Sequence, residues 1–180
     1  MSQLVADIRT VVVRELTPAK TSEAVAEVLR THLDSKDLLT EADRTADDEK
    51  YQQHVLHVEP DGSFSVISLV WLPGQRTPIH DHVSWCAVGV YQGEEAEVRY
   101  RLVGTGKDRH LVVTGTAGNC HGSTCGFAPP GDVHEVWNAG TSTAISIHVY
   151  GADIRRLGSS IRRQYNFPVI PTQPGRRASS

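Results

Sequence analysis

The chain has 180 residues, 39% of them hydrophobic and 22% charged, and a formal net charge of −3. That length fits one domain with its own core, and the mildly negative balance argues against nucleic acid or an anionic membrane as the main partner. No apolar run reaches bilayer-spanning length, the N-terminus MSQLVADIRT lacks a signal-peptide core, and three cysteines cannot all pair with one another, so a reducing cytoplasm is expected.

Taken in order, residues 2–16 place Leu4, Ile8, Val11, Val12 and Leu16 at helical spacing. Pro18 should break that pattern, and Thr21 or Ser22 can cap a second helix, SEAVAEVLRTHL, with Val25, Val28, Leu29 and Leu33 facing inward. The acidic stretch LLTEADRTADDEK reads as a loop or a short exposed helix. Residues 1–50 thus form a helical segment that packs on the rest and carries no chemistry of its own.

From Tyr51 the texture changes to alternation and β-branched residues. HVLHVEP, SFSVISLVWLP, SWCAVGVYQG, EEAEVRYRLV, RHLVVTGTAG and TAISIHVYG each read as a strand bounded by Gly, Pro, Asp or Asn. Short strands without intervening helices predict a mainly β, antiparallel sandwich or barrel over residues 51–152. A C-terminal helix is predicted over 153–165, carrying Arg155, Arg156, Arg162 and Arg163. Residues 166–180, Pro-rich and polar, read as an extended or disordered tail.

Nine histidines are many for this length. His80 and His82, in GQRTPIHDHVS, stand two apart; on a strand they share a face and can aim at one point, as a metal site requires. Taken alone, His-x-His also occurs by chance in surface loops. A second cluster, GFAPPGDVHEVWN, offers His134 and Asn138 behind a turn at Pro129 and Gly131. In the segment SIHVY, Ser146, His148 and Tyr150 fall on one face and Ile147 and Val149 on the other. Two explanations stand open there: a solvent-facing strand, or a hydrogen-bonded relay that fixes the tyrosine hydroxyl.

The combination G-x5-H-x-H (Gly74, His80, His82) with P-x-G-x2-H-x3-N (Pro129, Gly131, His134, Asn138) resembles the paired motifs of cupins. Most cupins place a glutamate four residues after the second histidine, where this chain has Cys86. That loss, together with Ser-x-His-x-Tyr, is similar to the thiol dioxygenases, the family of cysteine dioxygenase and 3-mercaptopropionate dioxygenase. The resemblance implies a jelly-roll-like barrel in which His80, His82 and His134 hold Fe(II), with no acidic residue beside them. It also implies that O2 and a small thiol are the substrates and a sulfinic acid the product, with Tyr150 positioned through His148 and Ser146. Three neutral imidazoles would leave the metal's 2+ charge uncompensated and favour an incoming thiolate. Two other classes remain in view: a non-catalytic cupin sensor, and a metal-dependent isomerase or decarboxylase.

Substrate contacts are less defined. Cysteine-selective family members carry an arginine two residues after a tyrosine; here the segment is Tyr51-Gln52-Gln53, which resembles the 3-mercaptopropionate branch and gives up a bidentate carboxylate grip. The arginine which that branch uses instead maps near Ser159, leaving Arg155, Arg156, Arg162 or Arg163 as substitutes. Cysteine, 3-mercaptopropionate and a bulkier thiol such as a mercapto-imidazole all stay open. Trp85 and Trp137 are expected to wall the pocket. Cys86 is either a small buried apolar residue or, as in animal cysteine dioxygenases, half of a thioether crosslink to Tyr150. Cys120, His121 and Cys125 are too few ligands for zinc and read as a loop, and His54, His57 and His110 read as surface or sheet residues. A monomer or weak homodimer is expected.

Overall fold

The computed structural model describes residues 1–170. Two helices, α1 (Ser2–Val12) and α2 (Pro18–Arg30), precede two sheets. The first sheet runs β1 (Gln52–Val58), β2 (Ser65–Trp71), β9 (Ala144–Tyr150), β4 (Cys86–Gln92) and β7 (Thr124–Phe127). The second runs β10 (Ile161–Gln164), β3 (His80–His82), β8 (His134–Asn138), β5 (Glu94–Val103), β6 (His110–Cys120) and β11 (Val169–Ile170). The pairings are antiparallel, as expected, except that β11 lies parallel to β6.

The strands β2 and β9 are buried at every position, which a barrel strand with one wet face would not be. The reason lies in the helices. Leu4, Ile8 and Val11 of α1 and Val25, Ala26 and Leu29 of α2 join Val66, Val70, Ile145, Ile147 and Val149 in one core on the outer face of the first sheet. Burying each large aliphatic side chain there contributes about 1.5–3 kcal/mol. The inner face of the same sheet carries Ile67, Leu69, Trp71, Cys86 and Tyr150. Close docking of α2 demands Gly126 in β7: a Cβ there would lie 2.4 Å from the Ser22 backbone.

Several boundaries differ from expectation. The first helix stops at Val12, because Glu15 adopts a positive φ of 50° that a right-handed helix excludes. Pro18 opens the second helix: it sits in the first turn, where its missing N–H costs nothing, and Thr17, not Thr21 or Ser22, takes the N-cap position. In the acidic stretch only Ala42–Arg44 forms a 3-10 turn, and Leu38 and Leu39 ahead of it are buried.

The helix predicted over 153–165 is a correction of substance. Only Ile154–Leu157 (α3) is helical, capped by the Asp153 side chain and stopped by Gly158 at a φ of 75°. The chain then straightens into β10 and pairs with β3, the strand of the two histidines. Arg162 and Arg163 therefore stand on a strand. Both pair with Asp81, as does the Tyr165 hydroxyl at 2.9 Å. Of the predicted tail, Val169–Ile170 adds a strand to β6, and residues 171–180 lie outside the described residues. No helix among the described residues is long and apolar enough to cross a membrane.

Candidate metal centre

His80 and His82 occupy the ends of a three-residue strand, both buried and on one face. His134 opens β8 directly opposite His80. One ring nitrogen from each of the three lies within 4.8 Å of the others, and the Nε2 atoms of His80 and His82 are 3.2 Å apart. Pairwise ring centroids are 4.7, 4.8 and 5.0 Å apart. The i, i+2 reading of the histidine pair and its convergence with His134 are thus present in the fold.

What lies behind the rings decides what the cluster can bind. His80 Nδ1 faces the Pro78 carbonyl at 2.9 Å, His82 Nδ1 faces an Asp132 carboxylate oxygen at 3.0 Å, and His134 Nδ1 faces a Glu97 oxygen at 2.7 Å. Each partner can only accept, so a neutral ring must carry its hydrogen on Nδ1 and present a bare lone pair at Nε2. Three lone pairs therefore converge with no hydrogen between them. Protonation offers little relief: burial, with His134 and His82 nearby, pushes the His80 imidazole down to about 3, and burial likewise lowers His82 despite Asp132. The donor set fits a divalent transition metal, with the outer hydrogen bonds that usually orient such ligands.

The expectation of no acidic residue beside the imidazoles needs amendment. Among the described residues no carboxylate joins the ligand cluster, but two support it from behind. Burial alone would raise both acids; hydrogen bonds to His134 and Arg99 instead bring Glu97 down to about 2, and the bond to His82 lowers Asp132. Sequence reasoning missed both. Glu97 stands on β5, a segment whose residues announce only a strand, and Asp132 lies in the turn before His134.

The polar face of β9 is not wet. Ser146, His148 and Tyr150 are all buried and form a chain, with Ser146 Oγ 3.0 Å from His148 Nε2 and His148 Nδ1 3.1 Å from the Tyr150 hydroxyl. Burial, reinforced by the three nearby histidines, pushes His148 down to about 3, so it is neutral at ordinary pH. Burial also holds the Tyr150 phenol well above its usual range. The Ser160 hydroxyl and the Cys86 thiol are further polar groups beside it. Cys86 itself is fully buried and pairs across the strands with Tyr150.

A pocket joins this relay to the histidines; His80, His134, His148 and Tyr150 line it together with Tyr51, Gln53, Ser160 and Ile161. Tyr51 stacks on Trp71, with ring centroids 4.5 Å apart. Arg155 and Arg156 are exposed on α3 and do not line the pocket, while Arg162 and Arg163 are engaged with Asp81. The tryptophans are also redistributed. Trp85 packs toward the helix-covered core and against Gly151, because strand alternation turns it away from its neighbour Cys86. Trp137 lies under the Arg76 guanidinium, 5.5 Å from its carbon, rather than at the pocket. The tryptophan that does line the pocket is Trp71. His121 binds the Tyr91 carbonyl and Asp34, and among the described residues Cys120, His121 and Cys125 form no metal-binding group.

Comparison with known proteins adds the family. A family model described as "Cysteine dioxygenase type I" matches residues 1–157. Among solved structures, the chain is similar to a conserved protein with a double-stranded β-helix domain from Klebsiella pneumoniae (18% identity, 66% of this chain and 91% of that one, TM-score 0.47). It is also similar to a Cupin 2 conserved barrel domain protein from Salinispora arenicola (18% identity, 67% and 92% covered, TM-score 0.45). A third likeness is to an RmlC-like cupin from Desulfovibrio desulfuricans (19% identity, 63% and 93% covered, TM-score 0.46).

Proposed function

The chain belongs to the cysteine dioxygenase type I family, and from that premise we propose that it is an iron-dependent thiol dioxygenase converting a small thiol and O2 into the sulfinic acid. The observation that carries the proposal is the convergence of three hydrogen-free Nε2 atoms from His80, His82 and His134 on one buried point. Ferrous iron, when bound there, would supply sites for a thiolate and for dioxygen, so that both oxygen atoms of O2 end on sulfur. Three protein ligands suit this, because they leave coordination positions open.

The remaining work falls to the chain's own groups. Asp132 and Glu97 hold two of the ligand rings in the required tautomer. Ser146 and His148 fix the Tyr150 hydroxyl at the pocket wall, where it donates a hydrogen bond to the reacting groups or to the substrate's polar end. Gln53 and Tyr51 sit where they can meet a substrate carboxylate or amine. No arginine lines this pocket among the described residues, so a carboxylate here is held by amide and hydroxyl donors without a charged bidentate grip. Without that grip 3-mercaptopropionate, whose branch also uses an arginine, gains no preference over cysteine, and a bulkier thiol such as a mercapto-imidazole, which needs no carboxylate clamp, stays in view.

The test is oxygen uptake by Fe(II)-loaded protein with cysteine, 3-mercaptopropionate and a mercapto-imidazole, with product mass read in parallel. Stoichiometric O2 consumption and a gain of both oxygen atoms are expected with at least one thiol. Thiol binding without oxygen uptake would replace the enzyme with a sensor, and substrate conversion without oxygen would point to isomerase or decarboxylase chemistry.

A further inference from the structure

The arginines that follow Tyr150 in the sequence find no place at the metal centre, and the fold gives two of them another. A groove of about 410 Å³ is lined by Arg162 and Arg163 of β10, Arg101 of β5 and Asp81 of β3. It shares no lining residue with the pocket at the histidines. Strand alternation explains the separation, because on β3 Asp81 points away from the face that carries His80 and His82.

Charge does not balance in this groove. Three guanidinium groups meet one carboxylate, an excess of two positive charges on a chain whose formal net charge is −3. Asp81 is fully engaged: its side chain is 2% exposed, and one oxygen faces Arg162, Arg163 and the Tyr165 hydroxyl together. The arginines keep hydrogens in reserve, since each guanidinium carries five N–H donors. Arg162 bonds to Asp81 through two of its nitrogens, Arg163 approaches it at 3.3 Å with a side chain 62% exposed, and the side chain of Arg101 has no partner among the described residues. Glu135, held by the hydroxyl of Tyr100 in the groove wall, already has Arg76 at 4.0 Å as its cation. Like charges in a walled groove focus a field that draws in an anion.

We propose that this groove binds a phosphoryl group, free or carried by a small organic molecule, through Arg101, Arg163 and the N–H groups of Arg162 that Asp81 leaves unused. Guanidinium forks match phosphate oxygens two by two, and a phosphate monoester brings up to about two negative charges near neutrality, which cancels the local excess. The volume falls within the range of small-molecule sites, about 300–1,000 Å³, and Leu102, Pro130 and Val133 give an organic body apolar surface to rest on. Binding of this kind leaves the Arg162–Asp81 pair in place, and with it the β3–β10 pairing beside the two histidines. The site is therefore independent of the metal, and the proposal does not rest on thiol oxidation.

The test is calorimetric titration of the full-length protein with inorganic phosphate and with phenyl phosphate, at an ionic strength fixed by chloride. Fe(II)-loaded protein under anaerobic conditions and metal-free protein should bind one equivalent with the same affinity. Arg101→Gln and Arg163→Gln both leave Arg162 on Asp81, so the fold is kept, and each should weaken binding tenfold or more, the loss expected for a hydrogen bond to a charged group. Arg14→Gln, the same charge change at an exposed position after α1, should bind as wild type. Tighter binding of phenyl phosphate assigns the groove to an organic phosphate and equal binding assigns it to free phosphate; both uphold the proposal. No heat above the chloride background overturns it, as does undiminished binding in the two groove variants. Binding in the iron-loaded form alone also overturns it, by placing the anion on the metal, and so does an equal loss in all three variants, which reduces the effect to net charge.

Discussion

Asp132→Asn separates two contributions to the metal centre, because it removes a charge while nearly preserving shape. The Asp132 side chain is 1% exposed, and one of its oxygens accepts from both the His82 backbone N–H at 3.1 Å and the His82 ring Nδ1–H at 3.0 Å. An asparagine carbonyl can occupy the same place, so the ring keeps its orientation and loses only the charge assistance, which roughly doubles the strength of such a bond. Changes in the outer partners of metal-bound histidines cost roughly 10–100-fold in affinity. The substitution should fall at the lower end, about tenfold or about 1.4 kcal/mol. Asp132→Ala leaves both N–H groups unpaired and frees the ring to turn, so its loss should approach 100-fold, about 2.7 kcal/mol. Anaerobic competition for Fe(II) against a chromogenic chelator gives both numbers. Wild-type affinity in both variants would refute the assignment of Asp132 as the support of His82. Equal losses in the two would show that charge alone matters and that the orienting role is wrong.

Four further outcomes follow from the same geometry. Tyr150→Phe should keep metal content while lowering kcat by roughly 10²–10⁴-fold, the usual range for loss of a positioned proton donor; metal analysis beside steady-state kinetics checks it, and an unchanged kcat would discard the role. If Cys86 and Tyr150, opposite each other in β4 and β9, form a thioether during turnover, intact mass should fall by two hydrogens, with O2 accepting the two electrons, and Cys86→Ser should show no such change. Gly151→Ala should destabilise by about 1–3 kcal/mol by overpacking, because a Cβ would sit 2.1 Å from Trp85 Nε1; urea midpoints measure it, and an unchanged midpoint would contradict the packing of Trp85. His80 and His148 are both held near 3 against an ordinary 6.5, so the unfolded chain binds more protons than the folded one below 6.5. Stability of the metal-free protein should therefore decline as pH falls from 6.5 toward 3, each histidine contributing about 1.4 kcal/mol per pH unit, and a flat profile across that window would count against their burial as neutral rings.

How far the site could be read from the chain depends on which side of each strand faced the polar interior. In β9 the i, i+2, i+4 set Ser146, His148 and Tyr150 is legible because the residue types themselves announce chemistry. In β5 the same rule places Glu95 and Glu97 on one face, yet the carboxylates beside Arg99 look like a solvated edge, and only the neighbouring sheet reveals that they turn inward. The four strands β7, β8, β10 and β11, two to five residues long, are not legible as strands because so short a run shows no period; pairing with neighbours creates them. The false helix over 153–165 has a related cause, since Asp81, between the two histidines, holds Arg162, Arg163 and Tyr165 in an extended path that no local propensity encodes.

The opening helices, which contribute no residue to the pocket lining, settle why the interior can be polar at all. The strand β9 points its serine, histidine and tyrosine into the barrel, so its apolar residues must face out, where water would make the arrangement unfavourable. The helices α1 and α2 cover Ile145, Ile147 and Val149 on that outer face and give the strand a second hydrophobic side. Chemistry inside the barrel and packing outside it are therefore one design: a polar substitution at Ile147 should loosen the helices and, through the same strand, the Ser146–His148 hydrogen bond.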